Sequence, residues 1–213
     1  MDIKSFETLP LMGILRGIEP GDVRPILEAV ISAGLETIEI TMNTVGAADL
    51  IREAVEVSGG RIRIGAGTVL SEGSMKQALD AGATFIVMPA CVSEVMAFCS
   101  GNNIPVFPGA LTPHEVLNAW QSGASMVKVF PSGLFGPRYF KELKGPFDKI
   151  KLMAVGGVRP ENIAEFFEAG ADAVAFGSAV FRKEWLEKKD YASIGSLVSE
   201  YVSEVKRVKG RVS

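Results

Sequence analysis

Eight short apolar runs alternate with segments of helical periodicity along the chain, and this alternation constrains the fold more than any other sequence feature. The runs are LMGILR, TIEITM, RIRIGAG, TFIVMP, PVFPG, MVKVFP, KLMAVGG and AVAFGS. Helices are predicted over 22–33, 47–57, 72–81, 93–101, 113–122, 137–144, 160–169 and 190–208. Strands that alternate with helices form parallel sheets with right-handed crossovers. Eight such units predict a closed (β/α)8 TIM barrel, here with a short N-terminal helix. An open doubly wound sheet is the alternative.

A small residue followed by glycine ends every second predicted helix. The pairs are Ala33-Gly34, Ala81-Gly82, Ser122-Gly123 and Ala169-Gly170. Glycine readily takes the left-handed conformation that ends many helices, so the chain can turn directly into the next strand. The recurrence indicates repeated pairs of βα units, although such endings are common in any α/β protein.

The composition favours one domain that binds small molecules. With 213 residues and 47% hydrophobic content, residues 1–213 can form a single barrel around one large core. The net charge of -3 and the scattered basic residues argue against nucleic acid or an anionic membrane as a partner. No apolar stretch approaches the roughly 20 residues that span a bilayer, and no signal-like segment opens the chain, so we expect a cytoplasmic protein. Cys91 and Cys99 lack the neighbours of a zinc site, so no metal is expected.

Two opposite charges are predicted to lie inside the barrel. In the second predicted strand, Ile38 and Ile40 alternate with Glu39, and in the sixth, two valines alternate with Lys128. Alternate residues of a strand face opposite sides, and the apolar face must meet the helices. Glu39 and Lys128 therefore point into the barrel interior.

Burying charges is costly, so this pair requires a reason. One reason is a structural ion pair that braces the barrel. The other is catalytic, because desolvation lowers the pKa of a lysine and frees its amine to attack a ketone as an imine-forming nucleophile. A buried carboxylate nearby would move the protons that imine formation needs.

Glycine-rich turns after the seventh and eighth predicted strands indicate a phosphate site. Gly156 and Gly157 follow the seventh strand, and Gly177 and Ser178 follow the eighth. Barrel enzymes often bind phosphate at these two loops, where glycine lets backbone amides approach the anion. Simple tight turns are the alternative.

Other polar residues at strand ends are candidates for binding an anionic substrate. Thr68, in GAGTV after the third strand, offers a hydroxyl beside open amides, although small residues there also suit interior packing. Arg16, at the end of the first strand, is a candidate cation, and a surface salt bridge is equally compatible with its position. His114 has no second histidine for a metal or a dyad, so it is not a candidate.

The segments GILRG, IEITMNT, IGAGTV, VKVFPSGLFGP and AVGGVRPENI resemble the class I aldolases that cleave 2-keto-3-deoxy-6-phosphogluconate (KDPG) and its galactonate epimer (KDPGal). The resemblance covers nearly the whole chain in the same order. It implies a metal-independent, cofactor-free homotrimer that acts on a keto acid and yields pyruvate and glyceraldehyde 3-phosphate.

The resemblance also implies roles for single residues. Lys128 would form the Schiff base and Glu39 would move protons, while Thr68 would hold the substrate carboxylate and Arg16 would bind near the polar chain of the substrate. The remaining implied contacts are pocket walls at Pro89 and Phe130, and phosphate contacts at Gly156, Gly157, Gly177 and Ser178.

Two positions separate the chain from the gluconate-type members of that family. Those members carry arginine where this chain has Asn43 and threonine where it has Val155, and the chain is similar to galactonate-type members at both positions. Thr41 stands where the galactonate-type members tend to have proline. The substrate is therefore left open between the two phosphorylated epimers and unphosphorylated 4-hydroxy-2-oxoglutarate.

Two other function classes are compatible with the same barrel. A phosphosugar isomerase or epimerase would use the phosphate loops with acid–base chemistry and no imine. A non-catalytic barrel that binds a phosphorylated metabolite is the third possibility, because fold alone does not define function.

Overall fold

The computed structural model describes residues 2–210, which form nine strands and ten helices. Residue 1 and residues 211–213, the ends of the predicted 1–213 domain, lie outside this range. The strands are β1 (Leu11–Leu15), β2 (Thr37–Thr41), β3 (Arg63–Gly67), β4 (Ile86–Val87), β5 (Val106–Phe107), β6 (Gly109–Ala110), β7 (Val127–Val129), β8 (Leu152–Val155) and β9 (Ala173–Phe176). The helices are α1 (Ile3–Phe6), α2 (Val23–Ser32), α3 (Ala47–Ser58), α4 (Glu72–Asp80), α5 (Ser93–Gly101), α6 (Pro113–Gln121), α7 (Pro137–Lys144), α8 (Ile163–Glu168), α9 (Lys183–Glu187) and α10 (Tyr191–Lys209).

The strands form one parallel sheet that curls into a barrel. Their order is β5-β4-β3-β2-β1-β9-β8-β7-β6, and β1 pairs with both β2 and β9. The first and last strands along the chain are therefore neighbours, with helices around the outside. The predicted (β/α)8 barrel with a short N-terminal helix is confirmed, and the open doubly wound alternative is wrong.

The fifth predicted strand, PVFPG, is divided at Pro108. β5 pairs with β4 on one side, and β6 pairs with β7 on the other. Proline has no N–H to donate to a ladder, which explains the break. Its carbonyl still accepts a hydrogen bond of 2.9 Å from the Lys128 amide. The two short strands therefore take the place of a single barrel strand between β4 and β7.

The predicted helix endings are confirmed at all four glycines. Gly34, Gly82, Gly123 and Gly170 have φ between +85° and +99°, directly after α2, α4, α6 and α8. Side chains with a Cβ rarely adopt this conformation, so glycine lets each helix stop and the chain turn into the next strand.

The core has an inner layer within the barrel and an outer layer between strands and helices. The inner cluster contains Phe107, whose ring meets those of Phe6 and Phe85 edge to face at 5.7 and 5.9 Å. Phe6 belongs to α1, which therefore closes the amino-terminal end of the barrel. Val127 and Val129 belong to the outer cluster, so Lys128 between them faces the interior.

Two of the helices around the barrel differ from the sequence prediction. Within residues 2–210, no helix combines the length and apolar character needed to cross a membrane. The short helix α9 was not predicted from the sequence, and 160–169 begins as a 3-10 turn (Pro160–Asn162) before α8.

Candidate active site

A cavity of about 510 Å³ opens at the carboxyl ends of the strands. Active sites of (β/α)8 barrels occupy this end, where the loops after the strands converge. Ten of the predicted site residues line it: Arg16, Asn43, Thr68, Pro89, Lys128, Phe130, Gly156, Gly157, Gly177 and Ser178. The structure thus brings together residues from seven different strand ends in one pocket large enough for a small metabolite.

Lys128 presents a buried amine to this cavity. Its side chain lies on β7 with only 6% of the residue exposed, and its Nζ is 5.5 Å from the centroid of the Phe130 ring. Burial lowers the pKa of Lys128 below its ordinary value. The Glu39 charge opposes this effect and the Arg16 charge adds to it. A lowered pKa increases the fraction of neutral, nucleophilic amine at a given pH.

Glu39 lies within β2 and is not among the residues that line the cavity. It is 1% exposed, and neither carboxylate oxygen has a hydrogen-bond partner within the described part of the chain. Burial raises its pKa, while Lys128 and Arg16 act to lower it. The two charges attract each other, but no hydrogen bond joins Glu39 to Lys128, so they do not form the direct, hydrogen-bonded contact of a bracing ion pair.

Arg16 and Thr68 meet across the cavity mouth. An Arg16 Nη2 donates a hydrogen bond of 3.3 Å to Thr68 Oγ1. Thr68 has φ of +54°, a left-handed conformation that β-branched residues seldom adopt. The alternative of a surface salt bridge for Arg16 is wrong, since its described partner is a hydroxyl in the cavity wall.

The loop after β2 is tied to the loop after β1 by threonine hydroxyls. Thr44 Oγ1 accepts a hydrogen bond of 3.0 Å from the Gly17 amide and lies 3.0 Å from Thr41 Oγ1. Asn43 lies within this turn and faces the cavity with an exposed side chain. Thr41 is buried and is tied into this turn by its contact with Thr44.

The glycine loops after β8 and β9 form one wall of the cavity. Gly156 and Gly157 have φ of +89° and +78°, and Asn162 Nδ2 donates a hydrogen bond of 2.9 Å to the Gly157 carbonyl. A Cβ added to Gly157 would lie 2.7 Å from the Cα of Gly133, so the loop packs directly against the segment that follows Lys128. These glycines leave main-chain surface exposed where an anion can approach it.

Ser132, a buried residue that is hydrogen bonded to the cavity-lining Val155, was missed by the sequence analysis. Its Oγ donates a hydrogen bond of 2.7 Å to the Val129 carbonyl and accepts one of 3.0 Å from the Val155 amide. Ser132 therefore joins the ends of β7 and β8. The serine of FPS, three residues after a strand that carries the buried lysine, was the available signal. His114, excluded as a catalytic residue, pairs with Asn118 on the exposed face of α6.

Potential metal ligands are dispersed in this structure. Across residues 2–210, no three His, Cys, Asp or Glu side chains lie close enough together to hold a metal ion. Cys91 is exposed and Cys99 is buried, and burial raises the pKa of both thiols, to about 11 for Cys99.

The chain is similar to known aldolases over most of its length. A family model described as "KDPG and KHG aldolase" matches residues 3–197. A 2-dehydro-3-deoxy-6-phosphogalactonate aldolase of Escherichia coli (strain K12) is 40% identical over 82% of this chain and 85% of its own. A 2-dehydro-3-deoxy-phosphogluconate aldolase of Pseudomonas aeruginosa is 32% identical over 90% and 86%. A solved structure described as "Native KDPGal structure" superposes with a TM-score of 0.88, 34% identity and coverage of 95% and 97%.

The barrel and its buried lysine beside a glycine-walled cavity define an aldolase, a lyase that makes and breaks carbon–carbon bonds. The chain belongs to the KDPG and KHG aldolase family. This membership confirms the resemblance seen in the sequence, and it favours the lyase over the isomerase and over the non-catalytic barrel.

Proposed function

We propose that the protein reversibly cleaves a 2-keto-3-deoxy-6-phospho sugar acid to pyruvate and glyceraldehyde 3-phosphate through a Schiff base on Lys128. The observation that carries this proposal is the lysine itself: a buried amine with a lowered pKa faces a cavity that is also lined by glycine loops. The reaction needs a nucleophile for the ketone and a binding site for the phosphate, and this arrangement supplies both.

The Lys128 amine attacks the C2 ketone of the substrate to give a carbinolamine, which loses water to form the imine. Removal of the proton from the C4 hydroxyl then breaks the C3–C4 bond, releases the aldehyde and moves the bonding electrons onto the imine as an enamine. Protonation at C3 and hydrolysis release pyruvate and free Lys128. Glu39, whose pKa is raised by burial, moves protons in these steps.

The remaining cavity residues bind and orient the substrate. Thr68 holds the carboxylate end, and Arg16, which is hydrogen bonded to Thr68, binds near the polar chain together with Asn43. Pro89 and Phe130 form walls around the reacting carbons. Phosphate binds at Gly156, Gly157, Gly177 and Ser178, where backbone and one hydroxyl face the cavity.

Trapping with borohydride tests the imine directly. Incubation with pyruvate and borohydride should add a reduced pyruvate group to Lys128, detected by mass spectrometry of peptides. Lys151, which is partly exposed and paired with Glu7 outside the cavity, is the internal control and should stay unmodified. Lys128→Arg keeps the charge but cannot form an imine, so it should lose trapping and cleavage. An unmodified Lys128 in folded protein would refute the mechanism.

The substrate within this class is tested by measuring pyruvate release. Asn43 and Val155 are similar to the galactonate-type relatives, and the 40% identical relative acts on the phosphogalactonate compound by its name. We expect cleavage of at least one 6-phosphate epimer, faster than cleavage of 4-hydroxy-2-oxoglutarate, because the glycine loops add phosphate binding. Equal cleavage rates for the phosphorylated substrates and for 4-hydroxy-2-oxoglutarate would contradict the proposed phosphate site.

We further propose that the protein is a cytoplasmic homotrimer that needs neither metal nor cofactor. Apolar side chains on the loops around the cavity mouth support assembly: Val45 is 94% exposed, Leu134 69% and Phe135 56%. Exposed apolar side chains of this size are often covered by another subunit. Sedimentation velocity should give the mass of three copies of the 22.7 kDa chain, and cleavage should persist after dialysis against a chelator.

A further inference from the structure

Glu39 is packed inside the barrel, and no described residue forms a hydrogen bond with its carboxylate. Both of its oxygens are buried without a partner among the described residues, and its backbone lies in the centre of β2. A carboxylate in such a position is usually oriented by donors from neighbouring groups. Among the described residues, it is the shape of the surrounding wall that constrains the orientation of Glu39.

Gly67 forms the part of that wall closest to the carboxylate. It pairs with Thr41 in the ladder between β2 and β3. A Cβ added to Gly67 would lie 2.3 Å from Glu39 Oε1, 2.5 Å from Cδ and 2.9 Å from Oε2. These distances are shorter than any van der Waals contact, so the carboxylate occupies the space that a side chain at position 67 would fill.

Space, and not backbone freedom, is what glycine provides at this position. Gly67 is the last residue of strand β3 and is not among the glycines with positive φ. Alanine would therefore fit the backbone conformation without strain. The group it would meet is the end of a flexible glutamate, which can rotate away while the barrel keeps its fold.

We propose that Gly67 is a positioning residue, whose missing side chain determines where the Glu39 carboxylate lies relative to the Lys128 amine. This inference rests on the proposed role of Glu39 in proton transfer. A displaced carboxylate would still be buried, but it would no longer be aligned with the atoms that exchange protons during imine formation and cleavage.

Gly67→Ala tests the inference. A displacement of about 1 Å can lower the rate of a catalytic step by about a hundredfold. We expect kcat to fall by at least about tenfold, with KM changed little, because Arg16, Thr68 and the glycine loops are not displaced. The pH dependence of kcat should also shift, because the displaced carboxylate experiences the neighbouring Lys128 and Arg16 charges at different distances.

A double-mutant cycle shows whether Gly67 acts through Glu39. Glu39→Gln alone should lower kcat by about a hundredfold or more, as expected for loss of a general acid or base. Adding Gly67→Ala to Glu39→Gln should cost little further, because the carboxylate is already absent. If the two losses multiply, or if Gly67→Ala keeps wild-type kcat, the inference is wrong.

Gly65→Ala is the matched control. It lies on the same strand, and its added Cβ would meet the ring of Phe85 at 2.3 Å and not Glu39. This variant should lose stability, yet its folded fraction should keep the wild-type pH profile. A shifted profile in Gly65→Ala as large as that in Gly67→Ala would assign the effect to crowding in general and overturn the inference.

Two further outcomes are distinguishable. Should Gly67→Ala fail to fold, Glu39→Asp in the same chain should restore folding, because aspartate is one methylene shorter and vacates the space. A double variant that remains unfolded contradicts the inference. Wild-type kcat in Glu39→Gln would refute the proposed role of Glu39 in proton transfer. Gly67 would then have no catalytic group to position, so the inference about Gly67 would be refuted as well.

Discussion

Burial changes the pKa values of Glu39 and Lys128 in opposite directions. It raises the pKa of the carboxyl and lowers that of the amine, because the charged form of each is disfavoured away from water. Each side chain partly offsets the shift of the other through its charge. The same environment thus favours a nucleophilic amine and a carboxyl that can still give up a proton.

The raised pKa of Glu39 makes stability depend on pH. The ordinary pKa of glutamate is 4.5, so above this pH the unfolded chain releases the proton that folded Glu39 retains. The folded state then binds more protons, and the free energy of unfolding falls as pH rises through this window toward the raised pKa.

Glu39→Gln removes this titration and isolates its effect. The free energy of unfolding of the variant, minus that of the wild type, should be constant below pH 4.5 and should increase as pH rises above it. Urea unfolding at a series of pH values on both sides of 4.5 measures the difference. A difference that is independent of pH, or that falls as pH rises, would contradict the assigned direction.

Strand alternation in the sequence was enough to predict that Glu39 and Lys128 face the barrel interior. It could not predict that they make no hydrogen bond, or that Glu39 contacts Gly67. Those facts depend on the register between β2 and β3 and on side-chain rotamers, which a single strand does not encode. The glycines of GAGTV showed only that small residues were needed.

At the scale of the element, local signals determined where helices and strands begin and end. Thr112 and Glu115 form a capping box at the start of α6, and the hydrogen bonds that Glu115 accepts from Thr112 and Leu111 lower its pKa. The short helix α9 has five residues, too few for a helical period to be recognised. The break at Pro108 was readable from the proline, yet PVFPG was predicted as one strand.

Ser132 should be important for the stability of the segment between β7 and α7. Ser132→Ala would leave the buried Val155 amide without its acceptor, so we expect the free energy of unfolding to fall by about 1–3 kcal/mol. Ser122→Ala, which removes an exposed hydroxyl at the end of α6, should change it by less than about 0.5 kcal/mol. Equal effects in urea unfolding would show that the bridge between β7 and β8 does not stabilise the protein.

At the scale of the whole molecule, the two ends of the barrel have different tasks. The carboxyl end holds the cavity, whereas α1 closes the amino end and places Phe6 against Phe107. In barrels of this fold, catalytic residues generally lie at the carboxyl end, and residues at the amino end contribute to stability. The eightfold alternation in the sequence predicted the barrel, but not the contacts that Phe6 makes inside it.

Phe6→Ala should separate stability from catalysis. Removing a fully buried ring leaves a cavity, and such changes cost about 3–5 kcal/mol of unfolding free energy. We expect the folded variant to keep the kcat of the wild type, because Phe6 is remote from the carboxyl ends of the strands. Phe6→Leu should lower the free energy of unfolding by less than Phe6→Ala does. Urea unfolding measures stability and steady-state kinetics measures kcat, and a loss of kcat in either folded variant would contradict the separate roles of the two barrel ends.

The pairing of β1 with β9 also has a consequence for how the chain folds during synthesis. Gly13 lies opposite Phe176 in this ladder, so its partner strand leaves the ribosome only after most of the chain has been made. Until then one edge of β1 has unpaired hydrogen-bonding groups, which can pair with other chains. Contacts so distant in sequence also form slowly. The finished barrel closes that edge, and the interval before closure is when the nascent chain is most exposed to aggregation.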